Sequence, residues 1–184
     1  MNDPHEIIDN LSPEDAFVIL RRLAAQDEKL AAEIAAQALA YLSGVEAEEI
    51  TGALRDELEM LTPEEVWDRS GRTRDGYVDT SEAAYQMIEE MLEPFLDEMR
   101  KYRKTGLAWE AQQMCMGLLL GFYEFEYESK TEFKDWATDA PFGFASEVLD
   151  AWREGDIRAE ERQEVREFIE EEMPRWADWL LANW

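Results

Sequence analysis

Helix-start signals recur along this chain, and apolar residues follow each signal at the three- and four-residue spacing of an α-helix. Ser12-Pro13-Glu14-Asp15 and Thr62-Pro63-Glu64-Glu65 each combine a capping hydroxyl, a proline at the first helical position and acidic residues in the first turn. No segment sustains the period-two alternation and β-branched content of a strand. The sequence therefore predicts an all-α fold without a β-sheet.

The spacing of these signals predicts about seven to nine helices with short connections, which favours antiparallel hairpins in an irregular, helical-repeat-like bundle. Helices are expected to end at Ser43-Gly44 and Thr105-Gly106, because glycine commonly terminates helices. Pro94 is expected to kink or break the helix that contains it. Residues 68–79 and 139–143 are predicted to be loops.

The 184 residues are enough for one sizeable hydrophobic core. Hydrophobic residues make up 46% of the chain, so the high charge does not imply disorder. We predict a single α-helical domain over residues 1–184. Two packed halves, 1–70 and 80–184, joined by the loop 68–79, are the alternative organisation.

The chain carries 18 basic and 44 acidic residues, a net charge of −26. Such a surface repels the phosphates of nucleic acids and anionic membranes, so direct binding to either is not expected. Basic proteins or peptides are the favoured partners. The alternative interpretation is that the acidity only maintains solubility. The scarcity of lysine would also suit a high-salt cytoplasm.

Targeting signals are missing from the sequence. Met1–Asn10 lacks the basic start and apolar stretch of a signal peptide. The apolar run Met114–Tyr123 is too short to cross roughly 30 Å of hydrocarbon. The single cysteine, Cys115, excludes an intrachain disulfide and is expected to be a buried, apolar residue. We therefore expect a cytoplasmic protein.

One stretch, Trp67–Glu82, departs from the acidic background because it concentrates arginine and glycine. Arginine forks bind carboxylates and other anions through two hydrogen bonds. The sequence therefore predicts an interaction loop with the candidate residues Trp67, Arg69, Arg72, Arg74 and Tyr77. The alternative is that these arginines pair with acidic helices of the same chain.

The same stretch partly matches a calcium-binding loop. Asp75, Asp79 and Glu82 would supply oxygen ligands around the turn glycine Gly76, as in the second half of an EF-hand. The first half does not match, since a glycine and a threonine stand at the first and third ligand positions and arginines lie between the ligands. We expect no metal site and no cofactor, and keep calcium at Asp75, Asp79 and Glu82 as an alternative to test.

Short motifs resemble known helical families. The first three predicted helices resemble HEAT repeats, and the pair of helices around Gly106 resembles a TPR unit. The Arg-Gly-Tyr stretch, followed by Glu82-Ala83-Ala84 and by 92–96, resembles a helical region found in or beside proteins with a SWIM-type zinc finger. Over 64–125 this resemblance implies a helical accessory region. The Cys and His signature of the finger is absent, so zinc and nucleic-acid roles do not carry over.

Catalytic templates find little support in this chain. His5 is the only histidine and lies in the N-terminal segment, which is expected to fray, so a histidine-based triad has no support. The Glu-x-x-His pairs of a di-iron site do not occur. The acid clusters 89–93 and 160–164 resemble half of the carboxylate site of all-α nucleotide pyrophosphatases, which hold Mg²⁺. The preferred function is a non-catalytic protein-interaction or scaffold module, with protein partners and a homodimer as an option. A Mg²⁺-dependent hydrolase is the alternative.

Two further apolar patterns predict core packing. Gly117 and Gly121 have the spacing that lets two helices approach closely. The C-terminal residues Trp176, Trp179, Leu180, Leu181 and Trp184 are predicted to belong to the core, with a docking strip or dimer contact as the alternative.

Overall fold

The computed structural model describes residues 3–72, 76–182 and 184. This part of the chain forms ten α-helices, one 3₁₀ helix (Glu132–Trp136) and one pair of short strands, β1 (Gly71–Arg72) and β2 (Tyr77–Val78). The α-helices in chain order are α1 (Pro4–Asp9), α2 (Pro13–Gln26), α3 (Glu28–Leu42), α4 (Ala47–Met60), α5 (Pro63–Arg69), α6 (Thr80–Thr105), α7 (Ala108–Glu128), α8 (Ala140–Arg153), α9 (Ala159–Glu172) and α10 (Ala177–Leu180). The predicted all-α class is confirmed.

The chain divides into two compact units, Met1–Ser43 and Gly44–Trp184. The first unit contains α1, α2 and α3, of which α2 and α3 pack together. None of its described residues is buried, and large apolar side chains such as Phe17 and Tyr41 are exposed. The second unit holds the buried residues of the described structure.

The division lies between Ser43 and Gly44, whereas the alternative boundary at 68–79 lies inside the second unit. Helix α5, before this loop, packs on α6 and on the 3₁₀ helix after it. Its Val66 is fully buried. Because apolar residues on the two sides of the loop pack against each other, 68–79 is not where the compact units separate.

Helix α7 is the centre of the second unit. Of its 21 residues, 13 are buried, including both Leu118 and Leu119. Helices α4, α6, α8 and α9 all pack on it. A helix that is apolar on most sides is usually buried, and the surrounding helices cover most of the apolar run Met114–Tyr123. In the described residues, no helix combines the length and apolar content that crossing a bilayer requires.

Two glycines set the contact between α4 and α7. A Cβ atom on Gly117 would lie 2.5 Å from the backbone oxygen of Ala47 and 2.6 Å from Cβ of Ile50. A Cβ on Gly121 would lie 2.8 Å from Leu54 Cδ2. The predicted close packing of these glycines is confirmed. Cys115 is completely buried, as predicted, and burial raises the pKa of its thiol well above the ordinary range.

Side-chain caps begin several helices as the sequence predicted. Ser12 accepts a hydrogen bond from the backbone N–H of Asp15, and Thr62 forms a reciprocal capping box with Glu65. Helix α6 ends at Gly106, whose φ of 81° places it in the left-handed region that glycine adopts readily. Helix α6 is capped by Asp79, whose side chain accepts a hydrogen bond from the backbone N–H of Ser81.

Two local predictions were wrong, and the break that Pro94 was expected to allow does not occur. Helix α6 continues through Pro94, because Pro94 lies on the exposed face while Leu92 and Leu96 on either side are buried in one core. Water can then hydrogen-bond the carbonyl that loses its N–H partner. Residues 139–143 belong mostly to α8, with Pro141 in its first turn, where proline is well tolerated. A small β-sheet exists, since β1 and β2 pair in antiparallel register.

The C-terminal aromatic residues are divided between core and surface. Trp176 and Leu180 are buried, as predicted. Trp184 is partly exposed and stacks on the buried Trp152, with ring centroids 6.3 Å apart. Trp179 remains 47% exposed although its ring lies 3.6 Å from that of Phe142, so the core prediction was wrong for this residue.

Candidate interaction groove

The predicted interaction loop is a β-hairpin that connects α5 to α6. Gly71 pairs with Val78 and Arg72 pairs with Tyr77, both in antiparallel register. Arg72 is exposed, and Tyr77 is 75% exposed. Two of the predicted site residues, Arg74 and Asp75, lie outside the described residues. The hairpin therefore presents one guanidinium and one aromatic ring of the predicted set to solvent.

Arg69 belongs to the end of α5 and connects this helix to α6. Its Nη1 donates to Glu90 Oε2 over 2.6 Å. Both side chains are about half exposed, so the pair contributes at most about 1 kcal/mol to stability. The interpretation that the arginines pair with acidic helices of the same chain is thus correct for Arg69.

Trp67 has a structural contact that the sequence did not predict. Its ring meets Trp136 of the 3₁₀ helix edge-on, with centroids 6.1 Å apart. Edge-to-face packing of two indoles is a favourable geometry that contributes about 1 kcal/mol beyond the buried area. Trp67 is nevertheless 53% exposed, so one side of the ring stays accessible to a partner.

A groove of about 560 Å³ lies beside the Arg69–Glu90 ion pair, and we call it the α4–α6 groove. The end of α4, helix α5 and the middle of α6 form its walls. Its apolar lining consists of Met60, Leu61, Met87, Met91, Pro94 and Phe95. Its charged lining consists of Glu57, Glu65, Glu90 and Arg69.

The apolar part of this groove is rich in methionine. Met60 is 72% exposed at the last position of α4, while Met87 on α6 is buried to 3% exposure. Three of the seven methionines in the described residues line the groove. Methionine side chains are unbranched and polarizable, so they adapt to ligands of different shape. Exposed apolar side chains grouped in a concave surface are typical of binding sites rather than of inert surface.

The rim of the α4–α6 groove is negative. Three carboxylates and one guanidinium line it, and the guanidinium of Arg69 is already paired with Glu90. Glu65 is held in place by hydrogen bonds from the backbone N–H and the hydroxyl of Thr62. Carboxylates around an apolar floor favour a ligand that carries positive charge beside an apolar stripe.

Sequence reasoning identified Arg69 but missed the other groove residues. Met60, Met91 and Phe95 come from two helices that are separated along the chain, and nothing in the local pattern brings them together. The one residue of the sequence that could have indicated the groove is Met60. It is a large apolar residue at the end of α4, outside the buried face that contains Leu54 and Leu58.

The acid clusters of the hydrolase alternative are engaged by side chains of the same protein. Glu93 accepts from Arg100 Nη1 over 3.2 Å. Glu164 accepts from the Gln112 side-chain amide over 2.6 Å, and Glu161 accepts from two arginines. Among the described residues, no group of three or more His, Cys, Asp or Glu side chains is arranged to hold a metal ion.

Of the three candidate calcium ligands, Asp79 and Glu82 are in the described residues, and both lie at the start of α6. Asp79 Oδ1 accepts from both the backbone N–H and the hydroxyl of Ser81, and these two hydrogen bonds lower the pKa of its carboxyl. Glu82 is exposed in the first turn of the same helix. Asp79 thus caps a helix, which is a sufficient reason for its position.

Glu147 on α8 faces the acids of α6, and this arrangement predicts a pH-dependent change in stability. Partial burial and the nearby charges of Glu89 and Glu93 raise the pKa of Glu147, an effect that Arg100 opposes. A carboxyl with a raised pKa in the folded state destabilises the fold once it ionises. We expect Glu147→Gln to stabilise the protein at pH 7 by less than about 1 kcal/mol, because water screens an exposed carboxylate.

This gain should disappear when the carboxyl is protonated in both states, below about pH 4. Urea unfolding of the wild type and the variant at pH 7 and pH 3.5, about one unit below the ordinary pKa, measures the difference. Glu167→Gln, an exposed acid on α9, serves as the control for removing one negative charge. Equal gains at both pH values would contradict the expected repulsion.

No protein-family model, curated protein or solved structure matches this chain. The resemblance to HEAT and TPR units and to the helical regions of SWIM-type zinc-finger proteins therefore stays a prediction. The function has to be inferred from the groove and its surroundings.

Proposed function

We propose that this protein is a non-catalytic protein-interaction module whose α4–α6 groove binds a basic amphipathic helix of a partner protein. The observation that carries the proposal is a groove whose apolar lining contains the exposed Met60, the partly exposed Met91 and the buried Met87, with carboxylates at its rim. An amphipathic helix lays its apolar stripe into such a groove, and its basic residues lie over the rim.

The charge of the whole chain supports the same partner class. A net charge of −26 attracts a basic segment over long distances and accelerates its encounter with the groove. Pairing with Glu57, Glu65 and Glu90 then orients the segment. Charge mainly sets the association rate and the choice of partner, while the apolar contacts slow dissociation.

The arginine hairpin extends this interaction surface. Arg69 joins the groove to the hairpin, whose exposed Arg72 and Tyr77 follow within eight residues of the sequence. Arginine and tyrosine are enriched at the centres of protein interfaces because they combine apolar area with hydrogen bonding. Arg72 and Tyr77 are proposed to contact acidic or polar groups that flank the basic helix.

Calorimetry with a synthetic amphipathic peptide tests the groove. The probe carries leucine at helical spacing and lysine elsewhere, and a peptide with glutamate in place of lysine is the negative control. We expect only the lysine peptide to bind. Met60→Lys should weaken its binding at least tenfold, about 1.4 kcal/mol, because a cation then stands on the apolar floor. Met60 is 72% exposed, so this change leaves the fold intact.

Trp109→Lys is the matched control, because Trp109 is an exposed apolar residue (53%) that does not line the groove. The Trp109→Lys variant should bind the lysine peptide with the same affinity as the wild type. Equal weakening by Met60→Lys and Trp109→Lys would show that net charge alone governs binding. No binding of the lysine peptide would refute the proposed function.

A further inference from the structure

Exposed apolar side chains concentrate in the first unit, Met1–Ser43. Sixteen large apolar residues are exposed in the described part of the chain, and nine of them belong to this unit: Ile7, Ile8, Phe17, Val18, Ile19, Leu20, Leu23, Leu39 and Tyr41. Seven of the nine lie on α2 and α3, which pack together. Single exposed apolar residues need no explanation, but seven on two adjoining helices indicate a surface that another protein covers.

Helix α3 is apolar around most of its circumference. Its second half, residues 34–42, contains no charged residue. Helices of this composition are normally covered on several sides, because a solvent-facing helix carries a polar face. Contact with α2 nevertheless leaves Leu39 41% and Tyr41 88% exposed. The composition of α3 therefore fits a helix that has a further neighbour besides α2.

The first unit lacks the usual means of stabilising a small fold. Units of about 40 residues or fewer usually need a disulfide, a metal ion or association with another chain. The single cysteine, Cys115, lies outside this unit. No metal-binding group of side chains occurs among its described residues, and none of those residues is buried. Association is the means that remains.

The charge of α2 and α3 fits a second copy of this chain as the partner. Residues 13–42 contain five acidic and three basic residues, so they carry −2 of the total charge of −26, and the rest of the chain carries −24. Two such chains repel each other, so they can associate only through a surface of low charge. A basic partner is instead attracted to the acidic remainder of the chain.

The exposed apolar area is close to what a stable dimer requires. The seven large apolar side chains on α2 and α3 are between 39% and 88% exposed. Side chains of this size present on the order of 100 Å² each, so covering most of them buries roughly 600 Å² per chain. Stable interfaces bury roughly 800 Å² per partner. The exposed alanines of α3 add to the area that α2 and α3 supply.

We propose that two copies of this chain form a dimer through α2 and α3, whose four helices pack as one bundle. In a twofold dimer the same surface is used by both copies, so the apolar side chains of one hairpin are covered by those of the other. Each first unit thereby gains the buried core that it lacks alone. This dimer does not depend on the binding of a basic helix in the α4–α6 groove.

Sedimentation velocity of the full chain over a range of protein and salt concentrations tests the dimer. We expect the mass to shift from one copy to two as the protein concentration rises. Added salt should strengthen the dimer, because screening reduces the repulsion between two chains of charge −26. Salt should have the opposite effect on the lysine peptide, whose binding uses charge attraction. The two experiments can therefore fail independently.

Leu39→Lys and Tyr41→Lys should each weaken dimerisation at least tenfold, because a cation then has to be buried in an apolar contact. Both changes make the chain less negative, so increased repulsion cannot explain a loss. Tyr41 is 88% exposed, so Tyr41→Lys leaves the helix intact. Trp109→Lys makes the same change of charge at an exposed apolar residue of the second unit, and this matched control should dimerise like the wild type.

Hydrogen exchange at low and high protein concentration locates the contact. We expect the amides of α2 and α3 to exchange more slowly at the higher concentration. A chain that stays monomeric under all conditions would overturn the proposal, as would a dimer that Leu39→Lys and Tyr41→Lys leave at wild-type strength. Slow exchange of α2 and α3 at every concentration would also overturn it, because the hairpin would then be covered within one chain.

Discussion

Replacing Gly117 by alanine is expected to destabilise the protein by about 3 kcal/mol, the upper range for inserting one methyl group into a close-packed core. The new Cβ would lie 2.5 Å from the carbonyl oxygen of Ala47 and 2.6 Å from Cβ of Ile50. Neither atom can move aside by rotating a side chain, so α4 would have to shift away from α7. That shift would also strain the hydrogen bond of 3.1 Å from the Thr51 hydroxyl to the Gly117 carbonyl.

Gly52→Ala is the matched control for this experiment. Gly52 lies in α4 and is exposed, and an added Cβ would meet no atom within 4 Å beyond its chain neighbours and the backbone of its own helix. Alanine in an open helical position should stabilise the fold by about 0.5–1 kcal/mol. Denaturant unfolding of both variants measures the two effects. Changes of the same sign and size would contradict the close contact between α4 and α7.

Glu161→Gln is expected to cost about 3 kcal/mol, the lower end of the range for breaking a buried ion pair. Glu161 is 3% exposed and accepts hydrogen bonds from Arg103 and Arg158. Without the carboxylate, the mostly buried guanidinium of Arg103 loses its charged partner. Glu170→Gln, which breaks the exposed pair with Arg166, should stay within about 0.5 kcal/mol of the wild type.

The cost of Glu161→Gln should depend on pH. Burial acts to raise the pKa of Glu161, but the hydrogen bonds from Arg158 and Arg103 outweigh it, so the pKa is lowered. A carboxyl whose pKa is lower in the folded state than in the unfolded state stabilises the fold when it is ionised. This stability is present above the pKa of the unfolded state, about 4.3, and is lost as the pH falls through the pKa of the folded state. Urea unfolding along a pH series should show the difference between wild type and variant shrinking in acid. A constant difference would exclude the ionised carboxylate as the source.

Much of the fold followed from local signals in the sequence. The caps at Ser12 and Thr62 and the stop at Gly106 are interactions between residues a few positions apart, so the sequence displays them directly. The hairpin β1–β2 escaped prediction because two-residue strands are too short to show alternation. That α6 is not broken at Pro94 could not be predicted, because it depends on which side of the helix is buried.

The candidate site was less accessible from the sequence. The unusual arginine content between Trp67 and Glu82 led to Arg69, but its partner Glu90 is 21 residues further along the chain. The apolar lining of the groove depends on how the end of α4 packs against α6. A pattern among neighbouring residues of the sequence does not predict that contact between distant segments.

The claim that the α4–α6 groove binds a basic amphipathic helix is tested most directly by NMR of the methionine methyl groups during titration with the lysine peptide. Four methionines of the described residues do not line the groove: Met99, Met114, Met116 and Met173. We expect the signals of Met60, Met87 and Met91 to shift, with those of these four unchanged. Unchanged groove signals at peptide saturation, or shifts confined to these four methionines, would contradict the proposed binding site.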